Sequence, residues 1–265
     1  MIYLFLLKII YLYNMKDVIF GIHTILNILK TNPLLVKKIF ILNSKKISNK
    51  IKELFFYIKK YNVLLYKVDK KWLDKKTNNS IHQGIMGIID IIKPFNEKDI
   101  NHLIKKFKKP LILILDHITD PHNLGACIRS AVAAKVNMII LPKNRSAKIN
   151  ATVKKISCGT SENIPIIFVK NLIKVINLLK IYKIYVIGGD NKKKNIIFNY
   201  KLDYPICLIM GSEDKGISPI IKKNCDELFA IPMFNNVNSL NISVATGIFL
   251  FEIMRQNYFI HKKLK

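Results

Sequence analysis

From Leu111 onward, short unbroken apolar runs recur between longer stretches of helical periodicity. The runs Leu111–Asp116, Met138–Pro142, Pro165–Val169, Tyr185–Gly188, Ile206–Gly211 and Glu227–Ile231 predict strands. They are continuous rather than alternating, the pattern of parallel strands buried on both faces, so a doubly covered α/β sheet is expected. A helix is expected to start near Pro121 or His122. A closing helix is predicted from Leu240 to about Tyr258, with Leu240, Val244, Ile248, Phe251 and Arg255 roughly one helical turn apart. Its stretch Ala245-Thr246-Gly247 is slim enough for close packing.

Val18 to Ile92 has a different rhythm and predicts a small α/β unit. Helices are expected at His23–Lys30 and Asn49–Lys60, strands at Lys38–Leu42 and Val63–Val68, with further apolar alternation over Ser80–Ile92. Lys93-Pro94 starts a linker, because proline stops a strand and polar residues follow. A helix over Ile100–Lys108 bridges to the second domain. Met1–Asn14 is almost wholly apolar but interrupted by Lys8, and is too short for the roughly 20 residues a bilayer demands. It lacks the basic start and small-residue cleavage site of a signal peptide, and is read as an upstream extension from a mis-assigned start. The expected division is 1–14 extension, 15–92 first domain, 93–109 linker and 110–260 second domain.

Charge narrows the partners. The chain carries 44 Lys and Arg against 17 Asp and Glu, a formal net charge of +27, which pulls on RNA phosphates or an anionic membrane. Inflation of Lys, Ile and Asn by an AT-rich genome is the competing reading of part of this excess, and a solvated run is the default for Lys192-Lys193-Lys194. The four cysteines, Cys127, Cys158, Cys207 and Cys225, have no paired spacing. Neither a zinc site nor a disulfide framework is indicated, and a reducing cytoplasm is the expected home.

Three segments break from apolar runs into Asn, Gly, Ser, Glu and Arg: Leu115–Ala131, Met210–Gly216 and Ile231–Ala245. Each begins where the carboxyl end of a strand would deliver polar residues to a pocket, so together they predict one site assembled from three loops. Gly211 ends a strand, where a missing Cβ lets backbone approach a ligand, though an ordinary turn glycine fits equally. Asn123 and Asn241 donate and accept hydrogen bonds, and Glu213 is placed to orient them. Ser239 and Asn241 also stand where a helix cap is favoured. Asp116 and Asp120 read as strand-end and cap residues. His117, His122 and Asp120 lack metal-ligand spacing, so no metal is expected.

The three segments resemble, in order, the motifs of the SpoU/TrmH-type RNA ribose 2'-O-methyltransferases of the SPOUT class. Asn123, Gly125 and Arg129 match the first motif, and Gly211, Glu213 and Gly216 the second. Pro232, Ser239, Leu240, Asn241, Ser243 and Ala245 match the third. In the family, Gly often stands where this chain has Asn235, which tolerates positive φ better than most residues. Asp214-Lys215 replaces smaller residues. The resemblance implies a trefoil-knotted catalytic domain, a ribosomal-protein-like RNA-binding domain before it, a homodimer, and S-adenosylmethionine as methyl donor. It carries Gly211, Ile231 and Leu240 over as donor contacts, and Asn123, Arg129, Glu213, Ser239 and Asn241 as the catalytic set.

Arg129 is not read as a free base, since guanidinium keeps its proton. A clamp on the phosphate beside the target ribose is the physical alternative, with a phosphate oxygen or water taking the proton. Around Asp120–Gly125, and in its short N-terminal domain, the chain most resembles the branch that methylates a guanosine in 23S ribosomal RNA. A transfer RNA ribose methyltransferase and a non-catalytic RNA-binding or ribosome-assembly protein are the alternatives. A dehydrogenase fits the α/β pattern but lacks the Gly-x-Gly-x-x-Gly turn, for which Ile187-Gly188-Gly189-Asp190 is no substitute.

Overall fold

The computed structural model describes residues 16–43, 48–90, 95–202, 205–235 and 239–259. The 1–14 extension, the first two linker residues at 93–94 and part of the third polar segment, 236–238, lie outside these. Two compact units are resolved.

The first contains β1 (Lys16–Phe20), α1 (Ile22–Thr31), β2 (Val36–Leu42), α2 (Asn49–Lys60), β3 (Leu64–Val68), α3 (Lys70–Lys76) and β4 (Ile85–Asp90). The sheet order is β1-β4-β2-β3, with β2 and β3 parallel and β4 antiparallel to both its neighbours. Ile51, Leu54 and Ile58 form the buried stripe of α2, and Ser48 caps it by accepting from the Ile51 amide at 3.4 Å. That stripe joins Ile25 and Leu29 of α1 over Ile39, Ile41, Ile85 and Ile89 of the sheet. The sequence pattern did not reveal β1 or α3. The first is short and follows directly on the apolar extension. The second is strongly charged and buries only Leu73, its start fixed by Asp69 accepting from the Trp72 amide at 2.7 Å.

The chain continues through α4 (Asp99–Lys105), β5 (Leu111–Asp116), α5 (Pro121–Ala133), β6 (Met138–Pro142), α6 (Ala151–Ile156) and β7 (Ile166–Val169). It closes through α7 (Leu172–Ile181), β8 (Tyr185–Gly189), β9 (Ile206–Gly211), α8 (Pro219–Asn224), β10 (Glu227–Phe229) and α9 (Ile242–Met254). Strands β5 to β10 form one sheet, order β10-β8-β9-β5-β6-β7, parallel throughout. Ile112, Ile114, Ile140 and Ile209 pack with α4, α7 and α8 on one face. Leu113, Leu115, Leu208 and Met210, which point the other way, are also buried, so these runs show no alternation.

On α9 the buried residues are Ile242, Thr246, Phe249, Leu250, Glu252 and Ile253. Thr246 meets α5, where the Cys127 thiol donates to its hydroxyl at 3.6 Å. Of the stripe named from sequence spacing, Val244 and Phe251 are exposed. The helix is also shorter than its pattern suggests, giving way at Arg255 to a π-helical turn.

One segment crosses the expected domain division. Asn150–Asn163, which includes α6, leaves the second sheet after β6 and clusters with the first unit. Its anchor is Lys154, buried with its ammonium 2.7 Å from Asp17 and 2.9 Å from Glu162. Burial alone would lower the Lys154 pKa, but the two carboxylates outweigh it and raise it.

Candidate active site

Register places the site. Asp116 pairs with Gly211, so the first two polar segments leave neighbouring strands side by side. After β5, Asp120 caps α5 by accepting from the amides of His122 at 3.0 Å and Asn123 at 3.2 Å, with Pro121 in the first turn. This fixes Asn123 near the helix start. After β9 the chain turns sharply: the Gly216 amide donates to the Ser212 carbonyl at 2.8 Å, Gly216 has φ 64°, and Glu213 projects from the turn. In the third segment Asn235 does adopt positive φ, 56°. Asn241, rather than Ser239, caps α9: its side-chain oxygen accepts from the Ser243 amide at 2.9 Å and hydroxyl at 2.6 Å.

That cap leaves the Asn241 amide nitrogen free to join the three segments. It donates to Asn123 Oδ1 at 3.0 Å and Glu213 Oε1 at 2.5 Å. With its oxygen so engaged, Asn123 has its own amide N–H groups left for another acceptor. Arg129 lies outside this network. It is exposed on α5 and forms no hydrogen bond or ion pair among the described residues.

Beside the network is a pocket of about 270 Å³, lined among others by Gly211, Glu213, Ile231, Ser239 and Leu240. It thus holds the three residues expected to bind the donor and two of the expected catalytic set, while Asn123, Arg129 and Asn241 lie outside its lining. Gly211 has a second reason to be glycine: a Cβ there would lie 2.0 Å from Gly216 C and Ile217 N, so the missing side chain also admits the protein's own backbone.

Sequence reasoning passed over two lining residues, Asp190 and Lys222, whose side chains meet at 2.7 Å. Burial would raise the Asp190 pKa, but the Lys222 ammonium and the Lys192 amide hold it below the usual carboxylate value. The signal was the polar break after β8 at Gly189-Asp190, weighed above only as a dinucleotide turn. Among the described residues, no group of three or more His, Cys, Asp or Glu is placed to hold a metal ion.

The pattern of the SpoU rRNA Methylase family matches residues 110–251. The chain belongs to this family. A second pattern, RNA 2'-O ribose methyltransferase substrate binding, matches residues 18–95. The chain is 43% identical to the 23S rRNA (guanosine-2'-O-)-methyltransferase RlmB of Blochmanniella floridana, over 91% of this chain and 96% of that one. It is 38% identical to RlmB of Escherichia coli K12, over 91% and 99%. The fold matches the SpoU methyltransferase AviRb of Streptomyces viridochromogenes, solved with the cofactor AdoMet, with a TM-score of 0.73, 19% identity, and coverage of 93% of this chain and 95% of that one. The A. aeolicus TrmH/SpoU tRNA modifying enzyme, at 30% identity and a TM-score of 0.53, covers 63% of this chain and 86% of its own. The SpoU methylase likeness to the RlmB proteins therefore extends over more of the chain than that to the tRNA enzyme.

Proposed function

We propose that this SpoU methylase transfers a methyl group from S-adenosylmethionine to the ribose 2'-hydroxyl of a guanosine in 23S ribosomal RNA. The observation that carries the reading is the Asn123–Asn241–Glu213 network, in which one residue from each polar segment meets beside a pocket, in a chain matching 23S rRNA guanosine methyltransferases across both units. The pocket suits the donor: Ile231, Leu240 and Phe249 offer apolar surface to a nucleoside, and Glu213 and Asp190 offer carboxylates to a sulfonium and an ammonium.

The bound donor supplies an electrophilic methyl group. The ribose 2'-oxygen forms a bond to that carbon, the carbon–sulfur bond breaks with its electron pair going to sulfur, and the hydroxyl proton leaves. The chain's part is alignment. Gly211, Ile231 and Leu240 hold the donor, while Glu213 and Ser239 line its pocket on the acceptor side. Asn123, oriented by Asn241, presents an amide to the ribose. Arg129, exposed and unpaired among the described residues, clamps the adjacent phosphate, and a phosphate oxygen or water takes the proton.

The exposed Val244 and Phe251 on α9 support a homodimer formed through the second unit. No helix among the described residues is long and apolar enough to cross a membrane. The four free cysteines support a cytoplasmic site of action. The test is a map of 2'-O-methyl marks on 23S ribosomal RNA and transfer RNA, with and without the protein. A donor-dependent mark on a 23S guanosine is expected. Marks confined to transfer RNA, or none, would overturn the reading.

A further inference from the structure

The face of the first sheet opposite its aliphatic core carries an aromatic stack. Phe40 of β2 stacks on Tyr66 of the edge strand β3, ring centroids 5.2 Å apart and 20° from parallel, and meets Trp72 of α3 at 4.7 Å. A cation stands at each end: the Lys38 ammonium is 5.7 Å from the Tyr66 ring, and that of Lys76 is 5.8 Å from the indole. Helix α3 buries only Leu73, leaving Leu64 54% and Tyr66 41% exposed. Packing does not account for large apolar groups left open on an edge strand, which invites a partner.

The charge around the stack says which partner. Lys70, Lys71 and Lys75 of α3 are exposed and form no ion pair among the described residues. The two nearby carboxylates are engaged locally, Asp69 in capping α3 and Asp74 with His82 at 2.8 Å. A second copy of the same patch would bring these lysines against one another. A nucleic acid strand supplies what the patch lacks, phosphates for the lysines and flat bases for the rings.

We infer that Phe40, Tyr66 and Trp72 form a platform on which unpaired bases of the RNA substrate stack, with the surrounding lysines holding the flanking phosphates. This rests on the RNA-substrate reading above and adds where, and in what form, the RNA is gripped. Duplex RNA hides its base faces, so the platform selects single-stranded segments.

Trp72 is the one tryptophan in the chain, so its emission reports on the platform directly. The full-length protein is titrated with a short purine-rich single-stranded RNA, and with the same strand annealed to its complement. Single-stranded RNA should quench the emission, and the duplex should leave it nearly unchanged. Tyr66→Ala, at an exposed position, should keep the thermal midpoint and weaken single-strand binding about fivefold or more, the low end of what one stacked base contributes. Lys75→Ala, on the helix that carries Trp72, should lower the salt dependence by about one phosphate while keeping the quench at saturation. Unchanged emission at saturating RNA, or wild-type affinity in Tyr66→Ala, overturns the platform. So does self-association that Tyr66→Ala abolishes, which assigns the patch to a second copy. Methyl transfer by the wild-type protein is scored separately, so failure of the platform is distinguishable from failure of the RNA reading.

Discussion

The amide nitrogen of Asn241 lies 3.0 Å from the side-chain oxygen of Asn123, a residue 118 positions earlier, and donates to it. The same nitrogen reaches Glu213, so one amide orients groups from two other loops. Its oxygen meanwhile caps α9, and the two duties are separable by substitution. Asn241→Asp retains the capping oxygen but removes the donor and sets a carboxylate against Glu213. Its thermal midpoint should stay within a few degrees of wild type while methyl transfer falls at least about tenfold. Asn241→Ala should in addition lose about 1 kcal/mol of stability with the cap. Circular-dichroism melts and single-turnover rates on the same preparations measure both. An Asn241→Asp enzyme with normal turnover would remove the network from the mechanism.

Gly211 makes a different prediction, because a side chain there strikes backbone. With Gly216 C and Ile217 N 2.0 Å from a Cβ, even alanine displaces the turn that carries Glu213. Gly211→Ala should lose about 2 kcal/mol or more of stability, in the range for an overpacked interior. Donor affinity should fall with it, because the same turn lines the pocket. Denaturant unfolding and calorimetry with S-adenosylmethionine test the coupling. A variant of full stability with weakened binding would show that the glycine makes room for the ligand alone.

The thiols predict both reactivity and alkaline behaviour. Burial pushes Cys127 and Cys225 up to about 12, and Cys207 well above its ordinary value. At pH 8 these three should resist alkylation in the folded protein and react once it is unfolded, as peptide mass spectrometry would show. A folded pKa above the unfolded one favours the native state below the unfolded value and loses that advantage as pH rises. For Cys127 the window runs from 9.0 to about 12, with a limiting slope of about 1.4 kcal/mol per pH unit. Cys127→Ser, which removes a group of raised pKa, should flatten the alkaline decline in stability. An unaltered decline would exclude Cys127 as a cause.

These tests separate what was legible in the sequence from what was not. Strands β5, β6 and β9 were legible to the residue because both their faces are buried, and α2 because its stripe and cap coincide. The three polar segments were legible because polar residues that end apolar runs stand out. What escaped depends on partners distant in sequence. Lys154 looks like any lysine until Asp17 and Glu162 close on it, and the exposed Val244 and Phe251 of α9 were indistinguishable by spacing from its buried residues. Gly211 was singled out, but the backbone at 216–217 that demands it appears only once the loop is folded.

Arg129 separates catalysis from binding. It is exposed, unpaired among the described residues, and on the same helix as Asn123, so its guanidinium is free to meet a phosphate beside the ribose. Electrostatic attraction for RNA is spread over 44 basic residues, so losing one changes affinity little. Misplacing the ribose by about 1 Å is another matter and can cost about a hundredfold in rate. Arg129→Ala should therefore cut single-turnover methyl transfer by about that factor at saturating RNA and donor, while the salt slope of RNA binding falls by only about one unit. Arg129→Lys should restore the salt slope but not the rate, because an ammonium cannot reproduce the planar two-point grip of guanidinium on a phosphate. Full turnover in either variant, with weaker RNA affinity, would make Arg129 an anchor for RNA and leave alignment of the reacting ribose to Asn123 and its partners.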